Sequence, residues 1–205
     1  MMMLITAAEP RKKNMTALYI DGEYAVSVDT MALLSSGKKE GSEITDDELY
    51  ELIENSNLSR AKEKALHLIE YRARTRKEIE DKLMPLFGEK ACEAAVERLE
   101  ELGLIDDESY AREYAETLLN QKHLSRRSAE YKMMQKGIDR ELIGEILDEV
   151  ENDPTEHIRI LLATKYARKL DDEKSRAKTV QSLLSMGYRW SDIDEAMNEY
   201  MEELD

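Results

Sequence analysis

Beyond Leu58 the apolar residues recur at intervals of three, four and seven. Ala61, Ala65, Leu68 and Ile69 form one stripe, Ile79, Leu83 and Leu86 a second, and Cys92, Val96 and Leu99 a third. At 3.6 residues per turn this spacing gives each segment a single apolar face, so it predicts three consecutive amphipathic helices. Thr75-Arg76-Lys77-Glu78 has capping-box spacing and opens the second of them. Gly88, Gly137 and Gly187 stand where second helices should stop, since glycine accepts the left-handed C-cap conformation without a Cβ clash. Asp139 and Ser191 are placed to N-cap third helices, and Pro154 marks a junction before the last set.

Residues 1–57 read differently. Ala17–Ile20 and Tyr24–Val28 are β-prone runs flanking Asp21-Gly22, a strong signal for a tight hairpin turn. A lone hairpin is marginal in water, so it should pack on the helices that follow. Thr45-Asp46-Asp47-Glu48 is another capping box and predicts a short helix through about Asn55. Gly37-Lys38 lacks phosphate-loop spacing and reads as a turn.

The helical pattern repeats. Thr75-Arg76, Ser125-Arg126 and Ser175-Arg176 lie 50 residues apart. In the same register fall Leu83, Met133 and Leu183; Gly137-Ile138 and Gly187-Tyr188; Ile143 and Ile193; Leu147 and Met197. A fixed period signals stacked supersecondary units. The expected fold is mainly α: three tandem three-helix repeats at 58–104, 105–153 and 154–205, forming an elongated array behind a small β-hairpin-containing extension at 1–57.

Composition adds to this picture. Gly and Pro are scarce, at 8 and 3 of 205 residues, which suits long helices. The single cysteine, Cys92, lies on an apolar stripe and reads as core, and no disulfide can form within the chain. The run Met1–Ile5 has no basic flank, and no apolar stretch approaches the roughly 18 residues of a membrane span. A cytoplasmic protein is expected, without a membrane partner or a small-molecule substrate.

Candidate chemistry is sparse. His67, His123 and His157 lie far apart, without ligand spacing, and Asp106-Asp107-Glu108 reads as the acidic start of a helix. No nucleophile, nucleotide-loop or metal motif occurs, so neither an enzyme nor a cofactor is expected. Net charge is −15, against the basic balance usual in a non-specific DNA binder. Basic residues nevertheless gather at the first-to-second helix junctions: Arg72, Arg74, Arg76 and Lys77; Arg126 and Arg127; Arg176. Four cations within residues 72–77 exceed what neighbouring carboxylates would pair, which makes these seven residues the candidate partner-binding set. The third helices are acidic, with Glu97, Glu100 and Glu101, then Glu145, Asp148 and Glu149, then Glu195, Glu199, Glu202 and Glu203. A helix-turn-helix transcription regulator would need Arg, Lys, Asn or Gln there to read bases, so that alternative is disfavoured. A general α-helical adaptor of 34-residue repeats disagrees with the 50-residue period.

The stretch Ala65–Ile79 is similar to the A-L-x-x-L-x-x-R-x-R-[ST]-x-x-E-[LIV] segment of the bacterial RecX family. Gly103–Ala111, which reads GLIDDESYA, resembles that family's G-L-I-D-D-x-x-[FY]-A segment. The resemblance is strongest over residues 61–137. It implies three tandem three-helix repeats and a β-containing N-terminal extension. It also implies binding to the filament of RecA on single-stranded DNA, with inhibition of RecA's recombinase, ATPase and coprotease activities. The strong acidity directs the expected affinity toward protein, with single-stranded DNA met only through a local basic strip.

Overall fold

The computed structural model describes residues 2–170 and 172–203, so Met1 lies outside the described residues. The chain forms two compact units, Met1–Asp106 and Asp107–Asp205.

In the first unit β1 (Met2–Arg11), β2 (Met15–Ile20) and β3 (Glu23–Asp29) form an antiparallel meander, and β4 (Glu43–Thr45) pairs with the outer edge of β1, giving the order β3-β2-β1-β4. The expected hairpin is β2–β3, with its turn at Asp21-Gly22, where both residues have positive φ. Strands β1 and β4 were not legible, because Met2–Arg11 alternates weakly and β4 has only three residues. The sheet buries Ile5, Leu18, Val28 and Ile44 against Leu33 of α1 (Thr30–Ser35) and Leu52 of α2 (Asp46–Tyr71).

Helix α2 departs from expectation. The Thr45 capping box is present, with the Glu48 amide 3.3 Å from Thr45 Oγ1 and the Thr45 amide 2.9 Å from Glu48 Oε2. The helix does not stop near Asn55 but runs for 26 residues, about 39 Å at 1.5 Å per residue. Asn55-Ser56-Asn57 looks like a break, yet no Gly or Pro interrupts the segment, and Ser56 turns inward to accept the Asp29 amide at 2.7 Å. One helix therefore serves two cores: its first half covers the sheet, and its second supplies Ala61 and Ala65 to the first three-helix module. Helices α3 (Arg76–Phe87) and α4 (Glu89–Glu101) complete that module with Ile79, Leu83, Cys92, Val96 and Leu99.

The second unit holds two further modules. In one, α5 (Asp107–Glu116) continues through a π-helical turn at Thr117–Gln121 and packs with α6 (Arg126–Gln135) and α7 (Arg140–Glu149) around Leu118, Met133, Ile143 and Ile146. In the other, α8 (Pro154–Ala163), α9 (Glu173–Ser185) and α10 (Trp190–Glu202) enclose Ile158, Leu162, Leu183 and Ile193. The 50-residue register is visible in burial: Leu83, Met133 and Leu183 are each 0% exposed. Gly88, Gly137 and Gly187 all adopt positive φ at the ends of second helices.

The last module differs at two helix starts. Asp172 caps α9 by accepting the Ser175 amide at 2.9 Å, so this helix starts earlier than its counterparts. Ser191 does not cap α10: Arg189 occupies that position without a side-chain cap bond, and the Ser191 hydroxyl donates to Asp192 at 2.9 Å.

Candidate interaction site

The basic junctions follow from how each second helix begins. In the first module Thr75 Oγ1 accepts the Glu78 amide at 3.2 Å, which starts α3 and fixes the directions of its neighbours. Arg72 donates two bonds to Glu78, at 2.8 and 3.2 Å. Arg74 turns back so that its Nε donates to the Leu68 carbonyl at 3.1 Å, satisfying an orphan acceptor at the end of α2. Arg76 bridges Glu80 at 2.7 Å and Glu100 on α4 at 2.5 Å. Burial works against its charge, but Glu100 and Glu80 together raise the guanidinium pKa above its ordinary value. Lys77 pairs with Asp81 at 3.1 Å. The expectation that four cations exceed the local carboxylates is therefore corrected: each has a partner within its own unit.

The second module repeats the device. Ser125 caps α6, and Arg126 occupies the position of Arg76, with Nε donating to Glu130 at 3.2 Å. Its other nitrogens reach the end of α7, at the Leu147 carbonyl (2.9 Å) and Asp148 (2.7 Å). In the third module Arg176 Nε donates to the Leu170 carbonyl at 2.7 Å, six residues back, as Arg74 does to Leu68. Arg127 differs from all of these: it is exposed and makes no ion pair among the described residues.

Part of the charge segregation along the sequence is thus cancelled in space. The acidic third helices receive arginines from the helices before them: Glu100 from Arg76, Asp148 from Arg126, Glu149 from Arg112, and Glu203 from Arg159. In the first two modules the packing brings the end of the third helix to the basic start of the second, and linear spacing does not reveal this.

Within the second unit the two modules meet through a polar seam. The Met186 carbonyl accepts from Ser125 Oγ at 2.8 Å and Ser128 Oγ at 2.6 Å. Gly187 sits so close that a Cβ would fall 2.5 Å from Ser125 Oγ, and its φ is +85°. The Tyr188 hydroxyl donates to the His123 carbonyl at 2.8 Å, and burial pushes its pKa up, so it remains a donor. The rings of His123 and His157 stand 5.1 Å apart, and neither Nδ1 has a hydrogen-bond partner among the described residues. Beside this seam a groove of about 690 Å³ is lined by Arg126, Arg127, Tyr188 and Arg189 with Glu130 and Asp192. Among the described residues no group of three or more His, Cys, Asp or Glu could hold a metal ion, and no helix is long and apolar enough to cross a membrane.

A further basic cleft in the first unit, where Lys12 and Lys13 meet Arg60 and Lys64, is not legible in the sequence. The helical spacing of Arg60 and Lys64 was visible, but nothing local indicates that the β1–β2 turn reaches them.

Repeated three-helix modules behind a small sheet, two of them clamped by an arginine at the start of the second helix, define a modular, mainly helical protein. Two family models match in order: RecX, first three-helix domain, over residues 61–99, and RecX, second three-helix domain, over residues 106–147. The "Regulatory protein RecX" of Clostridium acetobutylicum is 32% identical over 204 residues, covering 96% of this chain and 94% of that protein. The protein of the same name from Clostridium tetani is 31% identical over 205 residues, with the same shares covered. A crystal structure of RecX from Lactobacillus salivarius aligns with a TM-score of 0.58 at 30% identity, covering 70% of this chain and 96% of that one. A crystal structure of regulatory protein RecX shares the fold across 96% of this chain and 99% of its own, with a TM-score of 0.64 at 23% identity. The chain belongs to the RecX family of regulatory proteins.

Proposed function

We propose that this protein binds the filament of RecA on single-stranded DNA and restrains RecA's recombinase, ATPase and coprotease activities, acting in the cytoplasm by contact and without catalysis or a cofactor of its own. The observation that carries this reading is similarity to regulatory proteins named RecX along nearly the whole chain. The architecture supports it. Modules with separate cores can each make a weak contact, and contacts on one chain add through effective concentration. We take 1–57, 58–104, 105–153 and 154–205 as the functional divisions, with α2 shared between the first two.

Of the seven candidate contact residues, Arg74, Arg76, Arg126 and Arg176 act in this reading mainly as internal clamps. Arg127 faces the partner directly. Lys77 is 49% exposed at the side chain, so it can exchange Asp81 for a partner's carboxylate or phosphate at little cost, whereas Arg72 would give up two bonds to Glu78, whose side chain is 17% exposed. Co-sedimentation with RecA assembled on single-stranded DNA tests the assignment. The protein should pellet with the filament, and Lys77→Ala/Arg127→Ala should pellet less while keeping the wild-type melting temperature. Unchanged binding by a folded double variant would remove these two residues from the interface.

A further inference from the structure

The cations that sequence singles out are mostly engaged internally, whereas another group in the first unit is not. The β1–β2 turn places Lys12 and Lys13 beside α2, whose Arg60, Lys64 and His67 line the same open cleft of about 430 Å³, with Phe87 of α3 at its side. Lys12, Lys13 and Lys64 make no ion pair among the described residues. Arg60 lies over the Phe87 ring at 5.2 Å, a cation–π contact that leaves its charge unneutralised. Glu63 is the single carboxylate among the lining residues. In a chain with 45 acidic and 30 basic residues, four clustered cations facing one carboxylate run against the overall balance. A concave surface lined by one sign of charge focuses the field on a ligand of the opposite sign. The turn also holds Lys13 at φ +59°, a left-handed conformation that Gly or Asn adopts with less strain.

The cleft continues along the helix. Lys64 and His67 also line an adjoining hollow with Tyr71 and Arg74; Glu70 borders it, its carboxylate 3.8 Å from His67 Nδ1. Arg60, Lys64, His67 and Tyr71 recur at steps of four, three and four, so they share one face of α2 over about 16 Å. Tyr71 is 84% exposed. Cations in a row beside an open aromatic ring are the combination that holds an unpaired strand, with charges for the phosphates and a ring face for a base.

We propose that this strip on α2 and the β1–β2 turn binds single-stranded nucleic acid, with Lys12, Lys13, Arg60 and Lys64 meeting phosphates and Tyr71 stacking on a base. An acidic peptide would use the cations but leaves the exposed ring without a role. The proposal stands apart from the RecA reading, since a regulator could restrain RecA through protein contacts alone, and it is tested on nucleic acid without RecA.

The test is fluorescence anisotropy of a labelled oligothymidylate with the full chain, at rising salt. Wild-type protein should bind at low salt. Lys12→Ala/Lys13→Gly/Lys64→Ala should bind about tenfold more weakly, and its slope of log affinity against log salt should fall by about 2, at about 0.7 per phosphate released. Tyr71→Ala should weaken binding about fivefold with the slope unchanged. All four substitutions are at exposed positions and Lys13→Gly relieves the turn, so circular dichroism should match wild type. No binding by wild type at low salt, or wild-type affinity and slope in a folded triple variant, would overturn the proposal. Equal competition by polyglutamate would assign the strip to acidic peptides instead.

Discussion

His157 shows what one side chain does at a junction between modules. It is 8% exposed, and its pKa is lowered, first by burial and then by the nearby His123; Asp153 and Glu156 oppose the shift without cancelling it. The fold therefore favours neutral His157, while the unfolded chain takes up a proton near the ordinary value of about 6.5. The sign follows: this contribution to stability is complete above that pH and is lost as acid protonates the histidine. Melting temperature should fall between pH 7.5 and 5.5, before most carboxylates titrate, and His157→Leu should flatten that fall. Equal slopes in the two proteins would show that His157 plays no part. Sequence could not reveal this pairing, because His123 and His157 are 34 residues apart and come together only when Tyr188 and Gly187 dock on the start of α6.

At the scale of elements, the arginine that follows the cap of α3 and of α6 acts as a clamp. Arg76 ties α3 to α4, and Arg126 ties α6 to α7, through equivalent positions. Each side chain keeps about a third of its surface in water, so screening limits the effect: Arg76→Ala or Arg126→Ala should each cost about 1 kcal/mol, or about 3 °C in melting temperature. Arg127→Ala, one residue along, should shift it by less than about 1 °C. Thermal denaturation of the three variants checks this, and equal effects at Arg126 and Arg127 would contradict the clamp. Much at this scale was legible, because helix stripes, caps and glycine stops are local signals: Leu83, Met133 and Leu183 fall in the core as their spacing requires. What stayed hidden is tertiary. Ser56 accepting a strand amide keeps α2 unbroken, and Glu100 and Asp148 reach arginines more than 20 residues away in sequence.

Across the whole molecule, the acidic total of −15 does not describe any one surface. Part of the charge segregated along the chain is paired inside modules, while Lys12, Lys13 and Lys64, spread over 53 positions, gather unpaired at one cleft. The family was legible from Ala65–Ile79 and Gly103–Ala111 because those segments join caps, a junction and a turn that the fold needs in fixed order. The interaction surface was less so, since charge becomes a site only after internal partners are subtracted. The proposed restraint of RecA on single-stranded DNA is read out in RecA's DNA-dependent ATPase rate, followed as this protein is added at fixed salt. The rate should fall progressively to a low plateau as the filament saturates; a rate that stays constant while the protein is shown to be folded and in molar excess over RecA would refute the proposed restraint.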